Sequence, residues 1–461
     1  IRGRGNAGNI EIRAEESIAI AGSVLATVSG RIVPIPSAIL SEVRPGAEGE
    51  GGVIEVATRR LSVSNGAFIS ASTQSRGNAG SITINVSESA SFDGNPGAPF
   101  FPSGAYVGTL VGASGKGGTL TINTPSLSVT NGAQLEALTE SVGDAGNIII
   151  NAREVSLRGA NTGLFSNTTP GSTGNGGNIS IRSPQIEIRD SAAISVDSKG
   201  SGSGGNIAAQ ANRLTLENSA AISGQTASTD GGNITLALPD LLVLRRGSFI
   251  STTAGNAGAG GNGGNIRIDT GFLVAFAQEN TDITANAFLG RGGNVAINAT
   301  SIFGLAFQPQ LTPLSDITAS SQFGVSGTVS LNTPEVDPGS GLLPLPAQVS
   351  DPSDQVIVGC AAAQGNSFTI TGRGGLPENP TAPITVARSQ TVWRDLRDFS
   401  SANEPANTSS QDRRSSISQP RVQIVEATGW EVNEKGQVEL VSRLPNGTTV
   451  RPGYQFPHCN D

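Results

Sequence analysis

The chain has one histidine, two cysteines, no methionine, two tryptophans and two tyrosines among its 461 residues. A single histidine, His458, removes His-based triads and multi-histidine zinc sites as readings; it reads as a solvated residue near the chain end. Charge is also scarce, at 14% of residues against about 25% in ordinary soluble proteins, so ion pairs do little to hold this chain together. The net charge of −8 carries no basic stripe of the kind that neutralises phosphates, which argues against a nucleic-acid partner. No run approaches the roughly 18 to 20 consecutive apolar residues of a membrane-spanning helix, so no transmembrane segment is expected. The sequence opens on Ile1 without a basic-then-apolar leader. It is read as a fragment whose export signals lie upstream.

What the chain has instead is glycine, 61 residues of it, nearly twice the average share, and a repeat. Glycine-rich punctuation followed by a short alternating apolar run recurs eleven times, with successive second glycines 27 to 44 residues apart. Examples are Asp144-Ala145-Gly146-Asn147 before III, Gly176-Gly177-Asn178 before ISI, and Gly204-Gly205-Asn206 before IAA. The cleanest unit, Gly177 to Ser203, holds three period-two runs: NISIRS, QIEIRDS and AAISVDS. Alternation puts Ile179, Ile181, Ile186, Ile188, Ile194 and Val196 on one side, with polar neighbours outward. Each run is too short for a helix.

Fixing about 28 residues costs roughly 1 to 2 kcal/mol each, whereas six buried aliphatics return only about 1.5 to 3 kcal/mol each. One coil cannot fold alone, so the coils must stack at about 4.8 Å and enclose a continuous apolar column. The fold class expected for residues 1–332 is therefore all-β: a right-handed parallel β-helix of about ten coils with three short strands per coil. The asparagines that follow the glycines, Asn147, Asn178, Asn206, Asn233, Asn265 and Asn294, predict an internal Asn ladder bonded along the stack; turn preference alone would also explain them. Two stretches, Gly22 to Gly49 and Phe92 to Gly115, lengthen their units and are natural binding loops. The second carries Phe100, Phe101 and Tyr106, which either offer a docking surface or merely cover the helix flank.

Residues 333–355 are dense in Pro, Gly and Asp and read as a linker. A small, mostly-β module follows over 356–461. It has a short helix expected around Thr391 to Phe399, a disordered insert near 400–418, and a hairpin turning at Glu434-Lys435-Gly436. Cys360 and Cys459 frame this module, and a disulfide between them fits an exported protein.

Units such as GNGGNISIRSPQIEIRDSAAISVDS and GKGGTLTINTPSLSVTNGAQLEA, together with GRGGLPENP at 372–380, VWRDLR at 392–397 and VEATGWEVNEKGQVELV at 425–441, resemble cyanobacterial large exoproteins of the filamentous-haemagglutinin type. The resemblance implies two-partner secretion: export through an outer-membrane partner transporter, then a role in adhesion at the cell surface or outside the cell. The family's N-terminal secretion domain is absent from this sequence.

Chemical alternatives are weak. Parallel β-helices also carry polysaccharide lyases and glycoside hydrolases, and an inverting hydrolase needs two carboxylates about 6.5 to 9.5 Å apart over one cleft. Glu187, Asp190, Asp197 and Glu217 could share an outer face, but no basic or aromatic cluster accompanies them. The GGNGGN at 260–265 lacks the Asp of a calcium repeat, and the many GG pairs lack the Lys of a phosphate loop. No catalytic residue, metal site or cofactor is expected. The expected partners are the transporter and cell-surface glycans or proteins, with a structural layer as a further alternative.

Overall fold

The computed structural model describes residues 3–334 except 29, 96, 98–100, 256 and 257, and residues 429–450 except 433, 437 and 444–448. The chain divides into two compact units, Ile1–Ser340 and Gly341–Asp461. The linker from 335 onward, the helix expected near 391–399, the insert at 400–418, and Cys360, Cys459 and His458 lie outside the described residues.

The first unit is a parallel β-solenoid of about nine turns. Its only helical piece among the described residues is the single turn Ala277–Glu279. Each coil lays one strand on each of three faces. Strands such as Asn147–Asn151 and Ile179–Arg182 form the first face, and Glu154–Arg158 and Gln185–Arg189 the second. Long strands, among them Ile82–Asp93 and Asn233–Leu244, run across the corner and join these two faces into one 16-stranded sheet. Short strands such as Gly163–Phe165 and Ala193–Ser195 build an 11-stranded third face.

Register explains why the interior stays dry. On the first face Ile148 pairs with Ile179, Ile179 with Ile207, Ile207 with Ile234 and Ile234 with Ile266. The second face stacks Val155, Ile186, Leu214 and Leu242, and the third stacks Leu164, Ile194, Ile222 and Ile250. Ile179, Ile186 and Ile194 are each only 1% exposed. Because strand side chains alternate between faces, every second residue meets its own equivalent one coil later, and burial of each aliphatic contributes roughly 1.5 to 3 kcal/mol.

The glycine pairs mark the corner where the chain leaves the third face. Gly205 N–H donates to the Val196 carbonyl at 3.0 Å, and Gly264 N–H to the Thr252 carbonyl at 2.9 Å, bracing the narrow interior from one side to the other. A Cβ on Gly205 would fall 1.8 Å from the Gly177 carbonyl oxygen, and one on Gly264 would fall 1.8 Å from that of Gly232. The demand is for close approach of stacked backbones rather than for an unusual φ. At the corner between second and third faces it is the reverse: Asn65, Asn131, Asp190 and Asn218 adopt φ of 54 to 56°, the left-handed region where Asn and Asp are tolerated.

Two features depart from the sequence reading. The insertion after Gly22 folds as an antiparallel hairpin, Ser23–Val28 against Arg31–Pro36, standing off the parallel stack. Tyr106 belongs to no loop; it is the outward residue that ends the third-face strand Gly104–Tyr106. Within the second unit, Gly429–Val432 pairs antiparallel with Val438–Arg443, and the latter with Thr449–Val450, so a hairpin does turn over Glu434-Lys435-Gly436.

Glycine at the corner is testable inside one molecule. Gly205→Ala is expected to cost about 1 to 3 kcal/mol by overpacking, read as a lower denaturation midpoint by circular dichroism. Gly8→Ala, at the same repeat position but with nothing within 4 Å of its added carbon, is expected to leave the midpoint unchanged. Equal effects would contradict the close-approach explanation.

Candidate functional site

The asparagine row runs along the stack, but outside it. Asn178 Nδ2 donates to Asn147 Oδ1 at 3.1 Å, and Asn206, Asn233, Asn265 and Asn294 each donate to the preceding Oδ1 at 2.9 Å. Asn147 is half-buried and the others are exposed, which corrects the expectation of an internal ladder. The reason is alternation: each Asn precedes an inward Ile or Val, so its own side chain faces water, where the second amide hydrogen stays hydrated. A parallel outer row includes Asp144, whose carboxyl accepts from the Asn175 backbone N–H at 3.0 Å and is held below its ordinary range mainly by that bond.

The four carboxylates weighed for catalysis do not converge. Glu187 and Glu217 sit on the second face, where Arg189 reaches both, at 2.7 and 3.3 Å. Asp190 occupies the corner and accepts from Asn218 Nδ2 at 2.8 Å. Asp197 follows the third-face strand Ala193–Ser195, where it accepts from Ser223 Oγ at 2.5 Å and the Gln225 N–H at 2.6 Å. Burial raises the Asp197 pKa, and these donors oppose the shift. All four carboxylates have partners within the coil stack.

Two neighbouring departures from the repeat frame a groove. The hairpin Ser23–Pro36 and the segment around Phe101-Pro102 flank the third face and leave a groove of about 540 Å³ over four consecutive coils. This volume falls in the range of small-molecule sites, about 300 to 1,000 Å³. Phe68 forms the aromatic centre of its floor: its ring lies 5.6 Å from Phe101 and 5.4 Å from Tyr106, edge-on to both. Such pairs contribute about 0.5 to 1.5 kcal/mol beyond area burial. Phe101 is 50% exposed, and Phe100 lies outside the described residues. Tyr106 is half-buried, and its hydroxyl donates to the Pro102 carbonyl at 2.7 Å.

Three carboxylates share the groove: Glu42, Glu136 and Glu140. Glu42 accepts from Ser70 Oγ at 2.6 Å and pairs with Arg44 at 3.1 Å. Glu140 accepts the Val111 N–H at 3.2 Å. Glu136 lies in register beside Tyr106 and Phe165, half-buried, with no hydrogen-bond donor or cation of its own among the described residues. Burial, and secondarily the Glu140 charge, push its pKa up to about 7. Burial also raises the Tyr106 pKa well above the ordinary phenol value, with the Glu136 charge adding to it.

The sequence pointed to Phe101 and Tyr106 but missed Phe68, Glu136 and Glu140. The signal lies in the third-face register, where Phe68 occupies a position filled by Gly104, Gln134, Gly163 and Ala193 on the next coils. Unequal loop lengths hide that alignment. Among the described residues no group of three or more His, Cys, Asp and Glu could hold a metal ion, and no helix is long and apolar enough to cross a membrane. No protein-family model, curated protein or solved structure matches the chain.

The Glu136 environment has a consequence for stability. A carboxyl whose folded pKa lies above its unfolded value favours the folded state below the unfolded pKa and loses that contribution as pH rises through the folded pKa, here between about 4.5 and about 7. Glu136→Gln is therefore expected to match the parent protein in Tm at pH 4 and to exceed it at pH 8. A Tm difference that does not change with pH would refute the assigned burial.

Proposed function

We propose that this chain is the solenoid portion of an exported, filamentous-haemagglutinin-like protein that acts in adhesion or cell-surface interaction, holding its partner in the third-face groove. The observation that carries this reading is the groove itself. Two neighbouring insertions depart from the repeat on the same side of the stack, and both flank one aromatic and acidic floor. Aromatic side chains held by their neighbours supply contact area without much loss of rotamer freedom, as binding sites require. The composition and the resemblance of the repeats to exoproteins support display outside the cell, after passage through an outer-membrane partner transporter.

A second reading, an enzyme acting on extracellular polysaccharide, draws support from one feature: a carboxyl pushed up to about 7 beside a second carboxylate is the pattern of a general acid. The same groove sets apolar Pro34, Ile35, Leu40, Leu110 and Leu138 beside polar Ser70, Ser72, Gln74 and Gln134, a mixed lining that serves binding of a partner without requiring catalysis.

Labelled protein incubated with whole cells and with arrays of glycans and extracellular-matrix proteins tests the proposal. Binding is expected, and Phe68→Ala is expected to weaken it at least tenfold while the far-UV spectrum is unchanged. Binding that survives this substitution would remove the groove from the function. Depolymerisation of polysaccharide that disappears in Glu136→Gln would establish the enzyme instead.

A further inference from the structure

The groove is not electrically balanced. Arg44, the one cation among its lining residues, is bound to Glu42 at 3.1 Å. Glu136 and Glu140 are left without a cation among the described residues, and they are close enough for the Glu140 charge to act on Glu136. The titratable groups nearest Glu136 are Tyr106 in register on the preceding coil and Glu140 on its own coil, while Glu42 and Arg44 line the same groove three coils away. None is a free positive charge. A half-buried carboxylate that meets neither donor nor cation is costly, and the cost is relieved when a ligand brings a positive charge. The walls add a second requirement. Pro34, Ile35, Leu40, Phe101, Leu110 and Leu138 give part of them an aliphatic and aromatic character, suited to apolar side chains and to the methylene stem of a long basic residue, while Ser72, Gln74 and Gln134 add polar groups that can bond to the backbone of an extended chain.

We propose that the groove binds an extended peptide segment of a partner protein in which a lysine or arginine is flanked by apolar residues, with the basic group seated between Glu136 and Glu140 and the apolar neighbours against Phe68 and Phe101. The assignment rests on the reading of the groove as a partner-binding site and names the chemistry of what enters it. Groove length agrees: four strands at about 4.8 Å spacing accommodate several residues of extended chain at about 3.3 Å each. The charge state of Glu136 then governs affinity. With its pKa near 7 in the free protein, the carboxyl is mostly ionised at pH 8 and mostly protonated at pH 5.5.

The test is an array of immobilised octapeptides in which one lysine or arginine lies between leucine and proline residues, beside matched peptides carrying norleucine or glutamate instead. The strongest peptides are then titrated in solution by fluorescence anisotropy. Lysine and arginine peptides are expected to bind at least tenfold more tightly than their norleucine counterparts at pH 8, and to lose about tenfold in affinity at pH 5.5. Glu136→Gln is expected to weaken binding at pH 8 and to abolish the pH dependence. Asp190→Asn, which keeps the corner's hydrogen-bonding capacity away from the groove, is expected to change nothing. Norleucine peptides that bind equally well, or pH dependence that persists in Glu136→Gln, would overturn the assignment. So would a blank array alongside cell binding that Phe68→Ala abolishes, in which case the groove remains a binding site for another ligand. Cell binding indifferent to Phe68→Ala would instead defeat the groove reading from which this one starts.

Discussion

Parallel, in-register stacking is the constraint on which everything in the first unit depends. When each strand pairs with its equivalent one coil later, a residue's nearest neighbours along the stack are copies of its own position. Whatever a position contains, it must pack against itself. Aliphatics on aliphatics make the dry column through Ile148, Ile179 and Ile207. Asparagine on asparagine makes the outer row, since an amide carries both a donor and an acceptor and can bond to its own kind. Glycine on glycine makes the corner, because stacked backbones there leave no room for Cβ. Charges are sparse, and where like charges do stack, as Arg158 on Arg189, carboxylates close by offset them: Arg158 pairs with Asp190, and Arg189 with Glu187 and Glu217.

The groove is where this self-matching is suspended. Two insertions lift chain away from the stack, and the third-face positions beneath them are no longer occupied by like residues. Phe68 stands where the next coils carry Gly104, Gln134 and Gly163, and Tyr106, Glu136 and Phe165 follow one another in a column that carries Ser70 before them and Ser195 after them. Asp197, a few coils further on, shows what a structural carboxylate looks like on the same face: donors from Ser223 and Gln225 meet it directly. Glu136 has no such arrangement, and the contrast within one sheet is the reason the groove reads as a place for a partner.

The fold was legible in the sequence because its two determinants are local. Period-two alternation and glycine punctuation are written within each 28-residue unit, and either alone would identify strands and turns. The antiparallel hairpin at Ser23–Pro36 was missed because its residues, including the exposed Val24, Leu25 and Ile32, alternate much like the coils around them. The asparagine row was seen as a row but set on the wrong side, although the neighbouring Ile207 and Ile234 already pointed inward. Two of the three rings of the aromatic cluster, Phe101 and Tyr106, are visible in the sequence; Phe68 is not, lying in another coil more than thirty residues earlier.

The sequence by itself determined that the chain would wind into stacked three-strand coils, since apolar residues at alternate positions can be buried only if coil covers coil. Only the tertiary structure decided which outward residues from different coils would meet. Outward side chains leave no periodic trace, and their proximity depends on the exact register of coils separated by loops of unequal length. Glu136 therefore carries no mark of its surroundings in the sequence, and its raised pKa arises only once Tyr106, Phe165 and Glu140 are stacked and packed around it.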